Sequence, residues 1–174
     1  MNRTLLSAVS TLAVAGASLC ASAATPAPLD DARAQSIVDA FYGALTAPTR
    51  DTIVRGLAPV VDPAWRNCGG DDACQDLAAT IQRWTARIDV VPDMQWQRHA
   101  VLVAGDHVVV RGEVRGTPRA TFLGLAPTGQ SFRVMTIDIH TVHDGRIVET
   151  RHLEDWAAAM RQLAPPSSSG TASK

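Results

Sequence analysis

Apolar residues in the first half of the chain recur at the spacing of an α-helix. The first group follows Asp30 or Asp31, either of which can cap a helix. Its members are Ala34, Ile37, Val38, Phe41, Tyr42 and Leu45. The same spacing predicts a shorter helix over residues 49–57 and a third over residues 72–88. Three helices are therefore expected first.

From residue 92 onward the apolar spacing changes to about two, which is typical of strands. Segments 94–104 and 107–117 are expected to pair as an antiparallel hairpin around a Gly-Asp turn. The stretch FLGLAPTGQ contains too much glycine and proline for a continuous strand and indicates a crossover loop. Segments 131–142 and 146–154 flank a His-Asp-Gly turn and form a second predicted hairpin. A short helix over residues 155–163 then ends the domain.

Helices followed by a run of antiparallel strands predict an α+β fold, with a strongly curved sheet wrapped around the N-terminal helices. A sheet of that curvature has a concave face, where a central cavity can hold a small ligand.

The N-terminus has the pattern of a secretory signal peptide over residues 1–23. Arg3 precedes an apolar run of about 15 residues, which is shorter than the roughly 20 that cross a bilayer, and small residues follow it. We therefore expect a secreted or periplasmic protein without a membrane span. Residues 24–29 are predicted to be a linker, residues 30–163 a single domain, and residues 164–174 a disordered tail.

The chain has 16 Lys and Arg residues against 17 Asp and Glu residues, so its charge does not favour nucleic acid or an anionic membrane surface as a partner. An oxidising compartment would let Cys68 and Cys74 pair across a short loop that contains Gly69 and Gly70. Without a histidine at ligand spacing, these two thiols do not make a zinc site. The sequence has no phosphate loop, dinucleotide fingerprint or serine nucleophile motif, so we expect no cofactor.

Several motifs in the second half of the chain, taken together, are specific. They are Gly105-Asp106-x-Val108-x-x-Arg111, Gly116-Thr117, Gly124-x-x-Pro127-Thr128-Gly129 and Asp144-Gly145-Arg146-Ile147-Val148-Glu149. In this order the chain resembles the SnoaL-like polyketide cyclases, also called predicted ester cyclases, of the nuclear transport factor two-like superfamily. The resemblance covers roughly residues 92–163.

The resemblance implies a cone-shaped α+β barrel with an apolar cavity and cofactor-free intramolecular aldol closure of a polyketide ester. A homodimer through the exposed sheet face is common in this superfamily. In the family one aspartate, six positions after the motif's glutamate, serves as acid and base. Counting from Glu149 gives Asp155. This chain departs from the family where Pro118 replaces a histidine and Arg151 replaces an aromatic residue.

Asp155 has two interpretations. It can remove a proton α to a carbonyl and return it to an alkoxide, or it can cap the last helix, since aspartate is a favoured N-cap residue. Arg151 lies on the same side of the strand. Paired with Asp155 it would weaken that base, whereas directed at the substrate it could hold a carboxylate or stabilise an enolate.

His140 and Asp138 share one face of a predicted strand, although the sequence does not determine which face meets the cavity. His140 could donate to a developing oxyanion or be hydrogen-bonded structure. Asp138 could be a second polar wall residue or the orienting partner of His140. Strand alternation separates His140 from His143 and His152, so no metal site is predicted.

The aromatic residues of the helical half are candidates for substrate binding. Tyr42, Trp65 and Trp84 could line or cover a cavity, although large rings also dominate the core of a small domain.

From these observations we expect an exported protein that binds a small apolar carbonyl compound, with Asp155, His140 and Arg151 as candidate catalytic residues. Asp138, Tyr42, Trp65 and Trp84 are the candidate binding residues. Two alternatives remain open. One is a non-enzymatic ligand-binding or assembly module, and the other is an isomerase or epoxide hydrolase in the same cavity.

Overall fold

The computed structural model describes residues 29–165. Its elements are α1 (Asp31–Thr46), α2 (Arg50–Leu57), β1 (Val61–Cys68), β2 (Cys74–Gln75), α3 (Leu77–Val90), β3 (Gln95–Ala104), β4 (His107–Gly116), β5 (Phe132–His143), β6 (Arg146–Glu154) and α4 (Trp156–Leu163). The predicted signal peptide lies outside the described residues, as do nearly all of the linker and tail, so export and a disordered tail stay predictions. No helix within residues 29–165 is long and apolar enough to cross a bilayer.

The strands form one sheet in the order β2-β1-β6-β5-β4-β3. All neighbours are antiparallel except β1 and β6, which pair in parallel. The sheet curls around α1, which packs against α2 and β3, while α3 packs on β1 and α4 packs on β5. The predicted α+β fold, with a curved sheet around the N-terminal helices, is confirmed.

The helices begin at the capping residues that the sequence supplies. The Asp30 side chain accepts a hydrogen bond of 2.7 Å from the Arg33 amide, and the Thr49 and Thr52 side chains form a capping box. The start predicted for the third helix, residue 72, is too early. Residues Cys74–Gln75 instead form β2, and Asp76 caps α3.

The second hairpin turns on Asp144 and Gly145, whose φ angles are 51° and 77°. Left-handed backbone at both central positions is what a type I′ turn requires, and Asp-Gly is a favoured pair there. This turn places β5 and β6 in register, so that Asp138 lies opposite His152.

The sequence did not predict strand β1. Its pattern is interrupted by Pro63, and its pairing with β6 is irregular between Val61 and Arg66, so the alternation typical of a strand is lost. Only the C-terminal part, through Asn67 and Cys68, pairs regularly with β6.

The outer face of the sheet carries exposed apolar side chains, including Met135, Ile139 and Leu153, which are 55%, 37% and 70% exposed. A sheet-mediated homodimer would bury these side chains and stays a prediction.

A disulfide bond joins Cys68 at the end of β1 to Cys74 in β2, as predicted. It closes the loop that contains Gly69 and Gly70 and holds β2 on the edge of the sheet. The bond therefore fixes the end of β1, the strand that carries Asn67.

Replacing both Cys68 and Cys74 by serine is expected to reduce the free energy of unfolding by roughly 2 kcal/mol, since the closed loop spans a sequence separation of only 6. Urea denaturation of the variant and of wild-type protein, each with and without reductant, measures the loss. Reductant should destabilise the wild type and leave the variant unchanged. Equal stability of all four samples would mean that the bond does not constrain the fold.

Candidate active site

The inner face of the sheet, α1 and α3 enclose a cavity of about 20 Å³, which is room for about one water molecule. Its lining residues are Phe41, Tyr42, Leu45, Asn67, Trp84, Trp96, Thr136, Asp138, Thr150, His152 and Glu154. Most of these side chains carry polar groups, so the cavity is more polar than the apolar one that the resemblance implied.

The structure resolves which strand faces point inward. On β5, Asp138 and His140 are buried. On β6, Thr150 is buried and His152 and Glu154 are partly covered, whereas Arg151 is exposed on the opposite face. The grouping by alternation predicted from the sequence holds from Thr150 to Glu154. It is wrong for Ile147, which is also buried, because the pairing of β5 with β6 shifts register between Thr141 and Val142.

Asp138 and Tyr42 form the central polar contact of the cavity. The Tyr42 hydroxyl, from α1, donates a hydrogen bond to Oδ2 of Asp138 on β5. The pKa of the Asp138 carboxyl is raised to about 7. Burial is the largest cause, the hydrogen bond from Tyr42 lowers the pKa, and the charge of Glu154 raises it. Burial also raises the pKa of the Tyr42 phenol, followed by the charge of Asp138. Asp138 is thus a carboxyl group that changes protonation near neutral pH.

His140 is fully buried and lies behind the cavity lining. The Trp65 indole N–H donates to the Thr150 hydroxyl over 3.0 Å, and Nδ1 of His140 lies 2.9 Å from the same oxygen. Burial lowers the pKa of His140 to about 3, so the ring is neutral at physiological pH. This bonding fits the structural interpretation of His140, and its catalytic role stays a prediction. Asp138 is bonded to Tyr42 and not to His140.

His152 and Glu154 line the cavity, although neither is among the candidate residues predicted from the sequence. Glu154 accepts a hydrogen bond of 3.4 Å from the Trp96 indole and lies 3.7 Å from Arg87. Burial, together with the charges of Arg83 and Arg87, lowers the pKa of His152, while Glu154 opposes this shift. His152 and Glu154 follow Thr150 at every second position of β6. The sequence could therefore have identified both as cavity residues once the inward face of β6 was known.

Asp155 lies outside the cavity lining. Its side chain is exposed and accepts a hydrogen bond of 2.9 Å from the Ala158 amide as the N-cap of α4. Arg151 does not pair with it, because Arg151 Nε bonds Glu149 Oε1 at 2.8 Å and Nη1 bonds Asp71 Oδ1 at 3.3 Å. The capping interpretation describes the Asp155 contact, and its predicted acid/base role has no support from this position.

The aromatic candidates divide between the cavity wall and the layer behind it. Tyr42 and Trp84 line the cavity. Trp65 is fully buried and packs edge-on against Phe41 and Trp84, with ring centroids 6.2 and 6.4 Å away. Its contribution is to hold the wall in place through packing and through the bond to Thr150.

A second, open cleft of about 460 Å³ lies between α1 and β3 and shares Tyr42 and Trp96 with the interior cavity. These two side chains therefore border both the cleft and the cavity that contains Asp138. A larger cleft of about 700 Å³ lies at the N-terminus of α1 and the hairpin turns. Its titratable side chains, such as Asp106 and His143, are exposed, so it lacks the desolvated group that acid/base chemistry requires.

The described part of the chain was also compared with the ligand sets that hold metal ions. No three His, Cys, Asp or Glu side chains within residues 29–165 are arranged to hold a metal ion.

Comparisons with known proteins show which sequences and structures this chain is similar to. The sequence profile of a family described as SnoaL-like polyketide cyclase matches residues 51–163. A search of curated protein sequences gives no match. TsrD from Streptomyces laurentii is 24% identical with a TM-score of 0.67, and the match covers 78% of this chain and 98% of TsrD.

Two further solved structures are similar over comparable lengths. IdmH from Streptomyces antibioticus, a candidate polyketide cyclase, is 25% identical with a TM-score of 0.64, covering 75% of this chain and 97% of IdmH. A candidate SnoaL-like polyketide cyclase from Jannaschia sp. CCS1 is also 25% identical, with a TM-score of 0.65, covering 78% of this chain and 94% of that protein.

The raised pKa of Asp138 makes a prediction about stability. The folded state favours the protonated carboxyl, so the stability that this group contributes is complete below its unfolded pKa of 3.8 and is lost as pH rises through about 7. Asp138→Asn is always neutral and should gain stability relative to wild type between pH 4 and pH 8, by at most roughly 4 kcal/mol.

Urea denaturation of both proteins across this pH range measures the difference. Asp155→Asn, which removes an exposed carboxylate, is the control for a general loss of negative charge. A difference between wild type and Asp138→Asn that stays constant with pH would contradict the shifted pKa.

Proposed function

Because the chain belongs to the SnoaL-like polyketide cyclase family, whose profile matches more than half of it, we propose that it catalyses cofactor-free proton transfer on a small carbonyl compound. The reaction we propose is an intramolecular aldol closure. The observation that carries the proposal is the buried Asp138 carboxyl, with a pKa of about 7, beside the Tyr42 hydroxyl.

A general base works best when its pKa is close to the working pH, because it can then both accept and return a proton. In the proposed reaction, ionised Asp138 removes a proton from the carbon α to a carbonyl. The resulting enolate carbon bonds to a second carbonyl carbon of the same molecule, and the new alkoxide takes the proton back from Asp138. One carbon–carbon bond forms and nothing is oxidised or reduced.

The Tyr42 hydroxyl has a role in each half of this cycle. It donates to ionised Asp138 and fixes the carboxylate against α1. Once Asp138 has taken a proton, its demand for that hydrogen bond falls, and the Tyr42 hydroxyl can donate to a substrate oxygen that has become negative. Removing the hydroxyl should therefore weaken catalysis less than removing the carboxyl.

The size of the cavity constrains how a substrate binds. Ligand sites commonly enclose about 300–1,000 Å³, whereas the space beside Asp138 is about 20 Å³ and the neighbouring cleft is about 460 Å³. We propose that the bulk of the substrate lies in the cleft and that only its reacting end enters the cone. In this proposal the substrate enters by a change of rotamer at Tyr42 or Trp96, since both line the two spaces.

An isomerase or an epoxide hydrolase is the second candidate function. The negative charge of Glu154 acts on Asp138, so two carboxyl groups serve one cavity. A pair of acids in different environments can divide the roles of acid and base. An assay that measures proton removal alone tests the step shared by aldol closure and isomerisation.

Deuterium exchange at the α carbon of β-keto esters and 1,3-diketones, followed by NMR in D₂O, measures that step directly. Wild-type protein should accelerate exchange with an inflection near pH 7, and Asp138→Asn should lower the rate at least roughly 100-fold. Tyr42→Phe should retain a part of the activity. Asp155→Ser, which keeps an N-cap oxygen but lacks a carboxyl, should match wild type.

Three outcomes would contradict this assignment. Equal exchange by wild type and Asp138→Asn would remove Asp138 from the reaction. Loss of exchange in Asp155→Ser alone would assign the acid/base role to Asp155. Saturable binding of these compounds by wild type, without any exchange, would favour the non-enzymatic ligand-binding alternative.

A further inference from the structure

Asn67 is buried in the cone with both ends of its amide unpartnered. It lies near the end of β1, is 1% exposed and lines the cavity beside Thr150 of β6. Neither Nδ2 nor Oδ1 has a hydrogen-bond partner within the described part of the chain.

The neighbouring polar groups make the contrast clear. Tyr42 bonds Asp138, Trp65 bonds Thr150 and Trp96 bonds Glu154. Buried polar side chains in folded proteins are usually paired in this way, because an unpaired one keeps the full cost of its lost hydration. An amide with both ends unpaired on the wall of a cavity has the properties of a group reserved for a ligand.

Thr136 supplies a second group of this kind. It lies on β5, is 2% exposed and lines the same cavity, and its hydroxyl also lacks a partner within the described residues. The amide of Asn67 offers two N–H donors and one carbonyl acceptor, and the Thr136 hydroxyl can donate or accept. A ketone alone would satisfy only the donors, whereas a carbonyl with a neighbouring hydroxyl would satisfy both kinds of group.

We propose that Asn67, assisted by Thr136, recognises a hydroxycarbonyl or enol group of the ligand inside the cone. The Asn67 N–H groups bind the carbonyl oxygen, and its carbonyl accepts the hydrogen bond of the adjacent hydroxyl. This proposal rests on the proposed function in one respect, since it takes the cone as the ligand site. A β-hydroxyketone is also the class of product that an aldol closure forms.

In the reaction, Asn67 would act on the oxygen that becomes negative when Asp138 removes the α proton. Fixed N–H donors stabilise that charge more than they stabilise the neutral carbonyl, so their loss lowers the rate of the chemical step as well as affinity. Asn67 is thus a specificity-determining residue with a direct contact to the ligand.

Asn67→Leu is the informative variant, because leucine has a similar size and removes an unpaired amide from a buried site. We expect the melting temperature to stay equal or rise, since no protein hydrogen bond is lost. Thr80→Val is the matched control. The Thr80 hydroxyl is also buried and unpartnered within the described residues, but it lies on α3 outside the cavity lining.

Binding is measured by NMR titration with 4-hydroxy-4-methyl-2-pentanone, a β-hydroxyketone, and with 4-methyl-2-pentanone, which lacks the hydroxyl. Wild type and Thr80→Val should prefer the hydroxyketone by roughly tenfold or more, because a polar site discriminates strongly against a ligand that leaves it unpaired. Asn67→Leu should lose this preference, and Thr136→Val should reduce it.

The outcomes separate this proposal from the acid/base assignment. A marked fall in the melting temperature of Asn67→Leu would show that the amide stabilises the fold, and an unchanged ligand preference in that variant would show that it does not recognise the hydroxyl. Either result overturns the proposal and leaves the test of Asp138 by deuterium exchange intact. Absence of binding by wild type to both ketones would overturn the proposal together with the ligand site.

Discussion

The exclusion of water from the inner face of the sheet is the constraint on which the site depends. A charged group loses hydration there, so burial raises the pKa of Asp138 to about 7 and lowers that of His140 to about 3. Both groups therefore favour their neutral forms, but with different consequences. His140 is neutral throughout the physiological range, and its Nδ1 is hydrogen-bonded to Thr150. Asp138 changes its charge near neutral pH, and the Tyr42 hydroxyl holds it in position from the helix that fills the cone.

Much of the fold follows from local sequence patterns. The apolar spacing of α1, the alternation in the two hairpins and the Asp-Gly turn at Asp144 each specify their element with nearby residues. Strand β1 is not specified by a local pattern, because Pro63 and the irregular pairing with β6 interrupt the alternation of buried and exposed residues. Its position beside β6 is set by a contact between residues more than 80 positions apart, such as Asn67 and Thr150. The disulfide bond at the end of β1 was the one local signal in this region.

The site was less accessible to sequence reasoning than the fold. Alternation correctly grouped Asp138 with His140 and separated Arg151 from His152, but both faces of β6 mix polar and apolar residues, so the inward face was not determined. Family position indicated Asp155, whose carboxylate caps α4. The two departures from the family pattern, Pro118 and Arg151, both lie outside the cavity lining, with Arg151 bonded to Glu149 and Asp71. A motif specifies a position along the chain, whereas burial and partners decide what a carboxyl group there can do.

The polar atoms inside the cone form two sets, and the difference between them bears on function. Tyr42, Asp138, Thr150 and Nδ1 of His140 have partners and hold the wall together, whereas Nε2 of His140 has none among the described residues. Asn67 and Thr136 have none among the described residues, and each such group costs roughly 1–3 kcal/mol that an apolar residue would avoid. A bound ligand that pairs with both groups, as proposed, would offset this cost. Because the space beside them admits about one small group, selectivity there rests on hydrogen-bond pattern more than on shape.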